Sequence, residues 1–176
     1  MLPSGRLIVF EGIDGVGKTT LIKEASERLA TQEVDHLCLS FPGKEAGTLG
    51  ELVYRLHHDQ LKPYASAIPP ESLQLLHVAA HIDTLRNRIF PAVRAGKIVL
   101  LDRSWWSTFA YGVASGITPA LIKKILAPEI LLWRKIKKAH FFYITRDNAV
   151  NEHEIAKKTS ILAEYDKLLA SESRLH

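Results

Sequence analysis

The chain cannot form an internal disulfide, because Cys38 is its single cysteine among 176 residues and a bridge needs two. No stretch approaches the roughly 20 consecutive apolar residues of a membrane-spanning helix. The first residues lack the long apolar segment of a secretory leader, and internal repeats and low-complexity tracts are missing as well. These absences favour a soluble, cytoplasmic protein that has no membrane partner.

The excess of positive charge is also small, since 23 Lys and Arg residues stand against 19 Asp and Glu residues, for a net charge of +4. A nucleic-acid-binding protein needs basic residues clustered on one face. We therefore expect no nucleic-acid partner, although a mildly basic protein suits an anionic small ligand. With 47% hydrophobic residues, the length predicts a single domain over residues 1–176 with a substantial core.

Short apolar segments alternate with longer helical patterns along the chain. The predicted strands cover residues 7–10, 36–41, 98–101 and 141–144. The first predicted helix begins at residue 18, and four more cover residues 50–57, 71–90, 120–138 and 152–170. Pro91 is expected to kink or break the third helix, and Lys and Arg near the end of the fourth are expected to complement its dipole. This alternation predicts one doubly wound α/β domain, with a parallel sheet of about four strands flanked by helices.

A glycine-rich motif follows the first predicted strand and matches G-x-x-x-x-G-K-[ST] from Gly12 to Thr19. Its glycines let the backbone N–H groups curl around phosphates at the start of a helix. Lys18 would reach the β- and γ-phosphates, and the Thr19 hydroxyl would ligate Mg²⁺. Because strand, loop and helix occur together, the motif predicts a P-loop NTPase fold that binds a nucleotide. The predicted nucleotide-binding residues are Gly12, Asp14, Gly15, Val16, Gly17, Lys18, Thr19 and Thr20.

A carboxylate follows the third predicted strand. Asp102 comes at the position that would set an acid beside the P-loop, where it could hold Mg²⁺ through water. Arg103 follows it at the carboxyl end of the sheet, where ligands of α/β proteins bind. An ion pair that caps the strand explains the two residues nearly as well. The functional interpretation is favoured because the two residues occur together with the P-loop. The predicted metal-binding residues are Thr19 and Asp102.

Residues 10–20 resemble the opening of thymidylate kinases, whose pattern is F-E-G-x-[DE]-x-x-G-K-[ST]. Three later segments follow in that family's order: residues 41–44 (FPGK) resemble its F-P-x-R turn, residues 75–81 (LLHVAAH) lie where it has L-L-F-x-A-x-R, and residues 102–111 (DRSWWSTFAY) fit D-R-Y-x-x-S-[ST]-x-A-Y. The resemblance covers residues 6–115 well and the last third loosely.

The resemblance implies a nucleoside monophosphate kinase that takes ATP and Mg²⁺ on the P-loop and an acceptor monophosphate opposite. Lys44 and Arg103 would grip the acceptor phosphate, and Asp14 would approach the sugar hydroxyl. Such a reaction requires alignment and charge neutralisation, for which the predicted catalytic residues are Lys18, Asp102 and Arg103. The predicted substrate-binding residues are Asp14, Phe41, Pro42, Lys44, His77, His81, Arg103, Ser107 and Tyr111.

Two departures from the family pattern leave the acceptor base open. His77 and His81 stand where the family has an aromatic residue that stacks on thymine and an arginine that bonds the base, and histidine cannot reproduce arginine's planar fork. An i, i+4 histidine pair can also ligate a metal, but no third ligand accompanies it at a recognisable spacing. Pocket lining or a surface position is therefore the favoured interpretation of the pair.

The donor side departs from the family as well. Gly15 stands where some members have an arginine, and only residues 145–151, with Arg146, are available for the lid. The family's last strand and adenine loop are also expected to be missing. Either a partner subunit, as in a homodimer, completes such a site, or catalysis is weakened or lost. Two alternative functions remain: a deoxynucleoside kinase, because residues 102–104 (DRS) resemble that family's [DE]-R-S, and a nucleotide-binding module that has lost turnover.

Overall fold

A four-stranded parallel sheet organises the protein, in the order β2-β3-β1-β4. The structure is a computed structural model that describes residues 5–58, 67–145 and 152–171, and for 152–158 and 171 only the backbone. The strands are β1 (Arg6–Glu11), β2 (His36–Ser40), β3 (Ile98–Asp102) and β4 (Ala139–Tyr143). All four predicted strands are thereby confirmed, with ends that differ by one or two residues.

Helices connect and cover the strands. They are α1 (Lys18–Thr31), α2 (Leu49–His58), α3 (Pro70–Thr84), α4 (Phe90–Arg94), α5 (Trp105–Ala114), α6 (Pro119–Trp133) and α7 (Glu152–Ser171). The sheet and its helices form the predicted α/β architecture. None of the helices formed by the described residues combines the length and the apolar composition that crossing a membrane requires.

The kink or break predicted at Pro91 takes the form of a widened helical turn just before it. A single π-helical turn, Leu85–Ile89, separates α3 from α4, and Pro91 lies in the first turn of α4. Proline has no N–H and its ring crowds the carbonyl four residues earlier, so the turn before it widens. The helical path therefore continues through Pro91 as far as Arg94.

The fourth predicted helix is shorter than the sequence pattern indicates. It begins at Pro119, ends at Trp133, and has no basic residue in its last turn. The predicted complement of its dipole by Lys and Arg is therefore wrong. Leu132 and Trp133 are the last buried residues of its apolar stripe, and the basic residues beyond them lie in the connection to β4, where Ile136 bonds back to Trp133.

The register of the sheet determines which residues meet at its carboxyl edge. Phe10 lies opposite Asp102 on β3, and Glu11 lies opposite Tyr143 on β4. Leu7, Val9, Val99 and Leu101 are fully buried and belong to the main core, which also includes Trp106, Phe109 and Tyr165 from α5 and α7. This packing brings the P-loop, the residues after β3 and the last helix to the same edge of the sheet.

Candidate active site

The glycine-rich loop forms an open cradle between β1 and α1. Gly15 and Gly17 have left-handed φ angles of 82° and 102°, and a Cβ at either position would meet nothing within 4 Å. Gly12 is required for a different reason, because a Cβ there would lie 2.4 Å from the carbonyl oxygen of Ile144. The cradle therefore has room for phosphate groups, and its backbone shape depends on glycine.

Lys18 lies at the base of this cradle as the first residue of α1. Its side chain is buried, and its ammonium donates hydrogen bonds to the carbonyl oxygens of Gly12 at 3.0 Å and Ile13 at 2.8 Å. Burial and the nearby guanidinium of Arg103 lower the Lys18 pKa, although neighbouring carboxylates such as Asp102 oppose that shift. An anion entering the cradle would find a cation with little competing water.

Asp102 and Thr19 lie together beside the cradle. The Thr19 hydroxyl donates to Asp102 Oδ2 at 3.4 Å, whereas Oδ1 is buried and accepts no hydrogen bond from the described residues. A buried carboxylate oxygen is costly without a partner. Mg²⁺ in nucleotide sites takes one or two protein oxygens together with water and phosphate. This pair of residues therefore fits a magnesium ion.

Arg103 turns its side chain over the P-loop. Its φ of 73° is a left-handed conformation that costs a non-glycine residue about 1–3 kcal/mol. Its backbone N–H donates to the Phe10 carbonyl at 2.9 Å. Its guanidinium donates to Gly12 O at 3.3 Å and to Ser107 Oγ at 3.0 Å. The left-handed turn thus directs a cation from the end of β3 to the phosphate cradle.

Asp14, a residue of the P-loop, forms an ion pair with Arg103. Its carboxylate accepts from Arg103 Nη2 at 2.5 Å and from the Tyr111 hydroxyl at 3.1 Å. Loss of water around the carboxyl opposes its ionisation, but the charges of Arg103 and Lys18 outweigh that effect, and the Asp14 pKa lies below its usual value. The Asp14 side chain remains 77% exposed, so the pair contributes little stability and chiefly orients Arg103.

A buried carboxylate, Glu11, connects three elements behind Arg103. Its Oε1 accepts from the Ser104 backbone and hydroxyl, both at 2.6 Å. Its Oε2 accepts from Ser107 Oγ at 2.8 Å and from the Tyr165 hydroxyl at 2.9 Å. Burial and the negative charge of Glu11 raise the Tyr165 pKa, so this hydroxyl keeps its proton. Both carboxylate oxygens of Glu11 are therefore satisfied from β3–α5 and α7.

Residues 41–44, which resemble the F-P-x-R turn, lie over α3. Phe41 is buried and its ring stacks on that of His81, with centroids 4.0 Å apart. Pro42 follows it in a cis peptide bond. Lys44 is exposed, and its ammonium lies 4.8 Å from the centre of the Tyr54 ring. The described contacts bring Phe41 and His81 together and hold Lys44 against α2, not against Arg103.

The two histidines of α3 have different surroundings. His77 Nε2 lies 2.9 Å from His57 Nε2 on α2, so that one ring donates and the other accepts. His81 is only 2% exposed, and its Nδ1 lies 3.1 Å from Oε2 of Glu129, a fully buried residue of α6. Trp133 donates to the other oxygen of that carboxylate at 2.9 Å.

His77 keeps some exposure and could therefore line a pocket, whereas His81 is mainly a core residue. Within residues 5–58, 67–145 and 152–171, no three His, Cys, Asp or Glu side chains group so that they could hold a metal ion. The predicted lid cannot be compared with the structure, because Arg146 and residues 147–151 lie outside the described residues.

Several important side chains carried no signal in the sequence. Glu11 belongs to the family pattern, but the pattern assigns it no role. Tyr165 belongs to the apolar face of the last predicted helix, and Glu129 and His57 belong to no motif. Each acts through a contact between residues distant in sequence, such as the 154 positions that separate Glu11 from Tyr165. Only the fold brings such pairs together.

We expect the burial of His77 to make the protein sensitive to acid. Burial lowers the pKa of His77 to about 3, and the nearby His81 and His57 add to that effect. An unfolded histidine has a pKa near 6.5, so the unfolded state binds the extra proton first, and stability falls as the pH falls from about 6.5 towards about 3.

The His77→Phe variant should reduce the slope of unfolding free energy against pH, by up to about one proton, between about pH 6.5 and about pH 5, above the carboxyl range. Denaturant unfolding at several pH values measures this slope. The exposed His140 provides the control, since His140→Phe should leave the slope unchanged. Equal slopes for all three proteins would contradict the burial argument.

The fold and the phosphate cradle define the class of protein. A parallel α/β sheet with a P-loop after β1, and with Asp102 and Arg103 at the end of β3 beside that loop, is the arrangement of a P-loop NTPase. Comparison with known proteins gives the family. The family model described as thymidylate kinase matches residues 10–174, and the chain belongs to the thymidylate kinase family.

Individual relatives agree with the family. The chain is 40% identical over 123 residues to a thymidylate kinase of Thermoanaerobacter sp. (strain X514), an alignment of 69% of this chain and 57% of that protein. It is 36% identical over 126 residues to the thymidylate kinase of Pelotomaculum thermopropionicum, covering 70% and 56% respectively. These alignments span little more than half the length of the curated relatives.

A solved structure agrees with the fold. The crystal structure of thymidylate kinase from Ehrlichia chaffeensis superposes with a TM-score of 0.69 at 25% sequence identity, over 96% of this chain and 84% of that one. The predicted fold class, an α/β P-loop NTPase fold with a four-stranded parallel sheet, is thus confirmed, and so is the resemblance on which the family prediction was based.

Proposed function

We propose that this chain is a nucleoside monophosphate kinase, which transfers the γ-phosphoryl group of ATP to a nucleoside or deoxynucleoside monophosphate. The observation that carries the proposal is the convergence of two cations on one open cradle: Lys18 bonds the Gly12 carbonyl from α1, and Arg103 bonds the same carbonyl from the end of β3. Membership of the thymidylate kinase family supports it. Residues 1–176 would act as a single P-loop kinase domain.

On the donor side, we assign the ATP phosphates to the P-loop, from Gly12 to Thr20. Its glycines leave the backbone N–H groups free to bind oxygen atoms. Lys18 would exchange its two carbonyl partners for phosphate oxygens, and its buried position makes that electrostatic contact stronger than it would be in water. The roles of these residues are thus binding, alignment and charge neutralisation.

On the acceptor side, we assign the phosphate to Arg103 and the sugar to Asp14 and Tyr111. Asp14 and Tyr111 already form a hydrogen-bonded pair with room for a ligand, because Asp14 is exposed. Phe41 and His77 would line the base end, with the buried His81 stacked behind Phe41, Pro42 and Lys44 at the margin, and Ser107 orienting Arg103. Because His81 is committed to Glu129, it does not replace the base-binding arginine of the family pattern.

We assign Mg²⁺ to Thr19 and Asp102, and when bound this ion supplies positive charge to the transferred phosphoryl group. The Asp102→Asn variant should therefore lose about tenfold or more in kcat at low magnesium and recover partly as magnesium is raised. Titrating activity against magnesium for both proteins measures this effect. An unchanged magnesium dependence would show that another residue holds the ion.

The test of the whole proposal is a coupled assay of ADP release with all common nucleosides and their monophosphates. Stimulation by one or more monophosphates supports the proposal. Stimulation by nucleosides alone would instead indicate a deoxynucleoside kinase. ATP binding without any stimulated turnover would indicate a nucleotide-binding module. The acceptor-free rate of the same reaction reports how well the donor site excludes water.

We also propose a homodimer, located in the cytoplasm. Leu49 and Leu52 of α2 and Leu75 of α3 are each about half exposed, at 47%, 47% and 53%, and α2 packs against α3. Exposed apolar side chains on two neighbouring helices make these helices candidates for an interface. Sedimentation analysis of the wild type and of a Leu52→Glu variant tests this assignment, and a monomeric wild type would contradict it.

A further inference from the structure

We propose that Tyr165, on the last helix, is a positioning residue for Arg103, and that it acts through the Glu11 carboxylate and the Ser107 hydroxyl. The inference rests on the proposed function, in which Arg103 contacts the acceptor phosphate. It assigns a role in that site to α7, a helix that none of the sequence motifs includes.

The first step is the conformation of Arg103 itself. Its left-handed backbone is unfavourable for a residue with a side chain, so neighbouring contacts must hold it. On one side the Phe10 carbonyl accepts from the Arg103 N–H at 2.9 Å. On the other side Glu11 Oε1 accepts from the Ser104 N–H at 2.6 Å. Glu11 therefore fixes the turn that directs Arg103.

The second step is the guanidinium. Arg103 Nη1 donates to Ser107 Oγ at 3.0 Å, so that oxygen must present a lone pair to it. Ser107 does so because its own hydrogen is donated to Glu11 Oε2 at 2.8 Å. The orientation of the Ser107 hydroxyl thus depends on the same carboxylate that fixes the backbone turn.

The third step is the contribution of Tyr165. Its hydroxyl is fully buried, donates to Glu11 Oε2 at 2.9 Å and lies 2.7 Å from Ser107 Oγ. It therefore contacts both groups that hold Arg103, and it leaves Glu11 Oε2 with two donors. Without it, Glu11 Oε2 would keep only Ser107 as a donor, and Ser107 Oγ would lose the neighbouring oxygen 2.7 Å away. The contacts that orient Arg103 would then loosen.

The structure offers a matched control in Tyr143. Its ring stacks on that of Tyr165, with centroids 5.2 Å apart, and its hydroxyl is buried without a hydrogen-bond partner within the described residues. Tyr165→Phe and Tyr143→Phe therefore remove the same atom from adjacent rings. Only the first substitution removes a hydrogen bond to Glu11.

We expect Tyr165→Phe to lower kcat/KM for the acceptor about five- to tenfold, the range of one hydrogen bond, while the KM for ATP stays unchanged. Tyr143→Phe should match the wild type in both values. The acceptor is whichever of dTMP, dUMP, dCMP and dGMP the wild type uses fastest. If Tyr165 were only structural, Tyr165→Phe would lower the unfolding midpoint without changing kcat/KM for the acceptor relative to kcat/KM for ATP. That result would overturn the inference.

A second variant and a direct readout make the result independent of turnover. Glu11→Gln turns an amide donor towards Ser107 and Tyr165 and should reproduce the Tyr165→Phe effect, and the double variant should be no worse than either single one. In NMR spectra of the nucleotide-free protein, the side-chain Nε–H signal of Arg103, identified by its loss in Arg103→Lys, should broaden in Tyr165→Phe and stay sharp in Tyr143→Phe.

The two possible failures are distinguishable. If no monophosphate stimulates turnover in the wild type, the proposed function is wrong, and the Arg103 signal alone decides whether Tyr165 positions that side chain. If the wild type is an active kinase but Tyr165→Phe and Tyr143→Phe behave alike in kinetics and in the Arg103 signal, the inference is wrong and the proposed function stands. Additive effects of Glu11→Gln and Tyr165→Phe would also overturn it.

Discussion

Replacing Lys18 with alanine is expected to lower the rate of phosphoryl transfer about a thousandfold or more and to weaken ATP binding. The substitution removes the ammonium that lies buried among the carbonyls of Gly12 and Ile13, where water cannot replace it as a partner for phosphate. Initial rates at saturating ATP, together with a calorimetric titration of ATP, measure the two effects separately.

The control for this substitution must account for burial. Lys18 is only 6% exposed, and alanine would leave two carbonyls without their donor. Lys18→Met keeps the apolar stem and should be just as inactive. Lys23→Ala on the same helix removes a side chain that is 77% exposed and should leave activity unchanged. Wild-type turnover in a folded Lys18→Met protein would contradict the P-loop assignment.

The parts of the site that the sequence predicts are the ones formed by neighbouring residues. The loop from Gly12 to Thr19 is a continuous segment, and its φ angles follow from its glycines. Asp102 could be located because an apolar strand ends in an acid and parallel strands share one carboxyl edge. Short-range patterns of this kind determine local structure almost independently of the rest of the chain.

The parts that the sequence did not predict depend on contacts between distant residues. The motif aligns His81 with a base-binding arginine, but its ring pairs with Glu129, 48 residues away, and nothing near Glu129 marks it as a partner. The end of α6 likewise depends on packing, because Trp133 is the last residue of the helix that is buried in the core. A hydrophobic pattern gives the face of a helix, whereas its last turn and its buried polar pairs are set by tertiary packing.

Arg103→Ala is expected to raise the acceptor KM about tenfold and to lower kcat about a hundredfold or more. The guanidinium is the cation that the end of β3 directs to the cradle, and alanine at the same left-handed position cannot replace it. Arg103→Lys should restore only part of the activity, because an ammonium lacks the planar fork that bonds Ser107 through one nitrogen and Asp14 through the other. Exposed Arg88 offers a control, as Arg88→Ala should change neither constant.

Part of the loss in Arg103→Ala should come from Asp14. The Arg103 charge lowers the Asp14 pKa, and without it an exposed carboxylate would stay beside the incoming phosphate and repel it. Adding Asp14→Asn to Arg103→Ala should therefore recover some acceptor affinity, although Asp14→Asn alone should reduce activity by loosening Arg103 and Tyr111. Steady-state kinetics of the four proteins measure this coupling. Independent, additive effects on the acceptor KM would mean that Arg103 acts on the acceptor without balancing Asp14, and an unaltered KM in Arg103→Ala would remove Arg103 from the acceptor site.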